Sequence, residues 1–146
     1  MVQSPVGARC PDCATIGQAP IFRATTTEFS TAVLLSMAGA VGFGIAYGLV
    51  VWILWVLPLG FMIGNVAASF IIALGGGPVG EYVRRVGKYK LDARLRIVAA
   101  FTMFAIWIIG FFVASIFGVW NGVFLNIVAY IGLGVGIYVA MNRVRP

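Results

Sequence analysis

The sequence contains no histidine, only two cysteines and only four acidic residues, and charged residues make up 10% of its 146 positions. Each scarcity removes a class of chemistry. Without histidine there is no Ser-His-Asp triad, no histidine-ligated haem and no histidine-containing metal site. Ordinary soluble domains carry roughly 25% charged residues. Here the charge is replaced by apolar side chains, which form 62% of the chain. A soluble domain of this size has too little interior to hide so much apolar surface. A disordered chain has far less of it. The composition is that of a small integral membrane protein.

What is present is ordered along the chain. No charged residue occurs between Phe29 and Gly80. That stretch is too long for one span, since about 20 residues cross a bilayer core. Trp52, Trp55 and Pro58 mark the reversal, because tryptophan favours the membrane interface and proline suits a first helical turn. The sequence therefore predicts an all-α membrane domain over 25–146, with spans at 29–54, 58–80, 97–119 and 122–141. These form two hairpins behind an N-terminal segment, 1–24. Thr25 and Glu28 have the spacing of a capping box. Gly75-Gly76-Gly77-Pro78 predicts a kink or break in the second helix. Only Trp120 and Asn121 separate the third and fourth runs, which implies a tight turn. The first apolar run starts late, behind Pro5, Pro11 and Pro20, so no cleavable signal peptide is expected.

Charge sets the orientation. The ten basic residues are Arg9, Arg23, Arg84, Arg85, Lys88, Lys90, Arg94, Arg96, Arg143 and Arg145, and four spans place all of them on one side. By the positive-inside rule that side, with both termini, is cytoplasmic. The segment 84–96 is a topology signal and also an attractive surface for anionic lipid. Nucleic acid is not an expected partner, because the patch lies against the bilayer and no nucleic-acid fold surrounds it. Glu81 stands three and four residues before Arg84 and Arg85, the spacing of intrahelical ion pairs at the interface.

Small residues recur at every fourth position in each span: Ala40-Gly44-Gly48, Gly60-Gly64-Ala68, Gly110-Ala114-Gly118 and Gly132-Gly136-Ala140. This spacing puts them on one helix face, where backbones approach closely. Asn65 and Asn126 are expected at similar depth, joined by a hydrogen bond between the second and fourth spans. The deeper aromatics Tyr47, Trp107 and Tyr130 are expected to pack against neighbouring helices. No acidic or basic side chain falls at the middle of a span, where proton-coupled transporters usually need one. The glycine run at 75–77 lacks the Gly-Lys-Ser/Thr ending of a phosphate loop.

Cys10-Pro11-Asp12-Cys13 supplies half of a tetrahedral zinc site. Ser4-Pro5-Val6-Gly7-Ala8-Arg9-Cys10-Pro11-Asp12-Cys13 resembles the end of a B-box-like zinc finger. Such a finger precedes the membrane domain of some bacterial rhomboid-type proteins and of a group of multi-span bacterial membrane proteins. Gly77-Pro78-Val79-Gly80-Glu81-Tyr82-Val83-Arg84-Arg85 is similar to the second span of that group. The resemblance implies zinc at Cys10 and Cys13, completed by another chain or by residues upstream of Met1. It also implies the bacterial inner (cytoplasmic) membrane as the location. It does not bring proteolysis, because the rhomboid serine motif and histidine are absent from this sequence.

The expected function is non-enzymatic. The chain reads as an accessory, assembly or scaffold subunit that packs beside other membrane subunits or itself. The alternative is a homo-oligomeric channel or small-solute transporter, resting on Asn65, Asn126, Glu81 and a broken second helix.

Overall fold

A computed structural model of the chain describes residues 2–4, 7–9, 24–57, 61–89, 92–119 and 124–144. Two short strands, β1 (Val2–Ser4) and β2 (Gly7–Arg9), form an antiparallel hairpin with Val2 opposite Arg9. Four helices follow: α1 (Thr26–Val56), α2 (Phe61–Val86), α3 (Ala93–Ile116) and α4 (Ile127–Arg143). The first three are long and apolar enough to cross a membrane. α4 has 17 residues, about 25 Å of helix against a hydrocarbon core of about 30 Å.

Local sequence explains the helix ends. Glu28 N–H donates to Thr25 Oγ1 at 3.4 Å and Thr25 N–H donates to Glu28 Oε2 at 3.1 Å, a reciprocal capping box. Asp92 caps α3 by accepting from Arg94 N–H at 2.9 Å. Two helices stop in the same way. Tyr89 N–H donates to Arg84 O and Lys88 N–H to Arg85 O, both at 2.9 Å. Val119 N–H donates to Ala114 O at 3.1 Å and Gly118 N–H to Ser115 O at 3.0 Å. Both are Schellman closures, which need one left-handed residue. Gly118 takes that conformation in α3, with φ +78. After α2 it falls to Lys88, with φ +54.

Along the chain the structure departs from the sequence expectations in two places. α2 does not break at Gly75–Pro78 but runs through Pro78 to Val86. Proline forfeits a single backbone donor, and α4 lies against α2 on both sides of it, at Gly76 and Gly80. α3 ends at Ile116 and α4 starts at Ile127, so more than two residues separate these helices; Trp120 and Asn121 themselves lie outside the described residues. In the connection, Phe124 is buried to 1% exposure. The tightest packing lies between the hairpins rather than inside them. α1 packs chiefly on α3, and α2 on α4. Each of these pairs is parallel.

Glycine makes both contacts. A methyl at Gly76 would overlap the Gly136 carbonyl oxygen, and one at Gly136 would stand 2.7 Å from Ile72 O. At Gly132 it would lie 2.5 Å from Ser69 O, and at Gly80 2.6 Å from Ala140 O. Gly44, Gly48 and Gly110 do the same between α1 and α3, with Gly48 2.8 Å from Gly110 O by this measure. Two expected positions fall elsewhere. Gly64 meets nothing nearer than Leu54 O at 3.8 Å, and Gly118 is an exposed cap rather than a packing residue. Gly60 lies outside the described residues. In α2 the packing line is shifted along the helix, to Ser69, Ile72, Gly76 and Gly80.

Gly76→Ala and Gly136→Ala are expected to destabilise the bundle by about 1–3 kcal/mol, the cost of overpacking. Gly134→Ala, where a methyl meets open space, is expected to be neutral or slightly stabilising. Unfolding midpoints of the three variants in one detergent check the ranking.

Candidate functional site

The two ends of the bundle differ in chemistry. At the basic end, ion pairs and backbone contacts tie the helices together. Lys88 Nζ lies 3.6 Å from Glu28 Oε1, joining the end of α2 to the start of α1. Tyr82 Oη donates to Leu35 O at 2.8 Å across the same pair. Ala24 N–H donates to Asp92 Oδ2 at 3.2 Å, linking the entry of α1 to that of α3. Glu81 lies 3.2 Å from Arg85 Nε and 3.9 Å from Arg84 Nε, the intrahelical pairs its spacing predicts. The Arg84 guanidinium also sits 5.0 Å from the centre of the Tyr89 ring.

The uncharged end is held by aromatic packing. Phe124 enters from the α3–α4 connection and meets Tyr47, Trp107 and Phe111 edge-on, at centroid distances of 6.2, 6.3 and 5.4 Å. Trp107 also lies 5.8 Å from Tyr130. Tyr47 Oη donates to Ala68 O at 3.3 Å, bridging α1 and α2. The three deeper aromatics thus pack between helices. The role of Phe124 was hidden in the sequence, because 122–125 continues the apolar run of the fourth span. The available signal was Asn126, a helix-capping residue type placed just before an apolar helical pattern.

Asn126 lies at the mouth of α4, not one or two turns inside it. Its Oδ1 accepts from Ala129 N–H at 2.7 Å and caps the helix. Asn65 is buried to 7% exposure, and its Oδ1 makes no hydrogen bond. The Asn65 oxygen thus takes no part in the expected Asn65–Asn126 bond. Ser36 Oγ and Trp107 Nε1 are likewise buried without a partner. The buried hydroxyls of Ser69 and Thr102 instead donate to carbonyls one turn back, Asn65 O at 2.8 Å and Val98 O at 2.7 Å.

Between these ends the bundle is filled by Ile72, Val79, Val83, Leu95, Met103 and Ile106. Its grooves are on the outside. One of about 230 Å³ lies between α1 and α2 and is lined by Ala46, Tyr47, Gly75 and Pro78 among others. A second of about 230 Å³ lies between α2 and α4. A third, of about 350 Å³, is formed by α2 alone around Met62 and Val66. All are apolar. Cys10 and Cys13 lie outside the described residues. Among the described residues no group of three or more cysteine, aspartate or glutamate side chains is placed to hold a metal ion.

No protein-family model matches this chain, and no curated protein or solved structure matches it. The site is therefore defined by its own geometry: a tied basic end, an aromatic plug and external apolar grooves.

Phe124→Ala is expected to lower stability by about 3–5 kcal/mol, the usual cost of emptying a buried phenylalanine site. Asn65→Leu removes an unpartnered buried oxygen, so it is expected to be neutral or stabilising. Denaturant titration of both variants checks these opposite signs.

Proposed function

We propose that the protein is a multi-span membrane bundle, basic end cytoplasmic, that works by helix packing as an accessory or scaffold subunit of a larger membrane complex. No chemical reaction is assigned to it. The observation that carries this reading is a line of small residues left open on the outside of α1. Ala38, Gly42 and Ala46 follow at every fourth position and are all exposed. A methyl at Gly42 would meet nothing within 4 Å. Inside the bundle, comparable lines are closed by a neighbouring backbone, as at Gly44 and Gly48. Ala46 also opens into the α1–α2 groove, whose far wall carries Gly75 and Pro78. Small residues at such a face let a further helix approach closely, which is how helices associate in lipid.

The apolar exterior supports the membrane part of the reading. Leu34, Val41, Ile45, Phe70, Leu74 and Phe101 all project outward. The separation of charge in the sequence supports the orientation: all ten basic residues fall before the first span, between the second and third, or after the fourth. The transporter alternative draws on the unpartnered Asn65 oxygen, but α2 lacks the break that this alternative expects.

Native mass spectrometry of the gently solubilised protein tests the proposal. A stoichiometric foreign membrane partner is expected, lost in Gly42→Leu and retained in Gly134→Leu. A homo-oligomer unaffected by Gly42→Leu would sink the subunit reading and favour the channel.

A further inference from the structure

The groove between α2 and α4 leads toward the basic end. It is walled by Phe70 and Ala73 of α2 and by Ile131 and Val135 of α4, over Ser69 and Gly132. On α2 the helical repeat carries this face from Ala73 through Gly77 to Arg84. Gly77 leaves the path open, since a methyl there meets nothing within 4 Å. On α4 the path ends at Arg143, whose Cβ lies 2.8 Å from the position a Gly80 Cβ would occupy. Arg84 stands one turn beyond Gly80, about 6 Å along the helix. Continued along the two helices, the walls of the groove point toward these two arginines.

The charges at this mouth are unbalanced. Among the described residues Arg143 has no acidic partner, and Arg84 reaches Glu81 only at 3.9 Å. Glu81 is shared with Arg85 at 3.2 Å, while Lys88 is paired with Glu28. Among the described residues, Arg84, Arg85 and Arg143 thus have one carboxylate, Glu81, between them. The distances match a lipid leaflet. Ala73 is eleven residues from Arg84 and Val135 is eight from Arg143, or about 16 and about 12 Å of helix. Half of a hydrocarbon core is about 15 Å.

We infer that the α2–α4 groove holds the end of one acyl chain of an anionic phospholipid of the cytoplasmic leaflet, whose phosphate is bound by Arg84 and Arg143. The inference rests on the membrane reading and on its orientation, not on the subunit role. An anionic headgroup is favoured over a zwitterionic one because the latter brings its own cation to a mouth already in positive excess.

The test starts with alkaline carbonate extraction of membranes holding the full chain. Release into the supernatant would overturn the membrane reading and this inference together. For the retained protein, native mass spectrometry then compares phosphatidylglycerol with phosphatidylcholine of identical acyl chains. One phosphatidylglycerol is expected to be held in preference. Arg143→Gln, an exposed position, is expected to weaken it about five-fold. Ala73→Phe, which fills the groove from its outer wall, is expected to lower its retention while the melting temperature reports folding. Equal retention of the two lipids, or unchanged phosphatidylglycerol binding in Arg143→Gln, would overturn the lipid site and leave the membrane reading standing.

Discussion

The bundle depends on backbones that touch where side chains would ordinarily stand. Gly76 against Gly136 is the tightest of these contacts, supported by Gly132 on Ser69 and Gly80 on Ala140. In lipid, apolar side chains gain little by leaving one hydrocarbon environment for another, so helix association relies on close packing. Glycine lets two parallel helices meet over several turns. The α1–α3 pair uses the same device at Gly44, Gly48 and Gly110. The four helices are thus two tight parallel pairs joined by looser antiparallel neighbours.

Much else follows from those two seams. With α4 seated on α2 through Gly80, its last turn comes to rest beside the end of α2, and Arg143 is brought near Arg84. With α4 this low and this short, its upper end does not reach the end of α3. The intervening chain fills the space with Phe124, buried among Tyr47, Trp107 and Phe111. The same seams leave outward faces unfilled, including Gly42 on α1 and Gly77 on α2.

The two ends are secured by different forces. At the basic end, water-exposed ion pairs such as Lys88–Glu28 contribute modestly. The capping box and the Schellman closures fix where helices begin and end. At the uncharged end there is no charge with which to build such links. Aromatic rings and the Tyr47–Ala68 hydrogen bond take that role. This division follows the charge pattern of the sequence, which leaves the connections after the first and third helices without a charged residue.

The existence of four helices, their order and the capping box at Thr25 were all legible in the sequence, because hydropathy and capping are local properties. So were the ion pairs of Glu81, since a helix fixes its own neighbours at three and four residues. The partner of each glycine was not. A spacing of four defines a face, but not the helix that will cover it, and α2 turned out to pack through Gly76 and Gly80 rather than Gly64. Nor was the path through Pro78 legible, because α4 supports the helix there from outside. Asn126 shows the limit most clearly. Its chemistry suited either a cap or a bond between helices, and only the place where α4 begins assigned its oxygen to the cap. Sequence alone determined that four helices form and which connections carry the charge. Tertiary packing decided which backbones meet and which small-residue faces and arginines remain open, because those depend on contacts between segments distant in the chain.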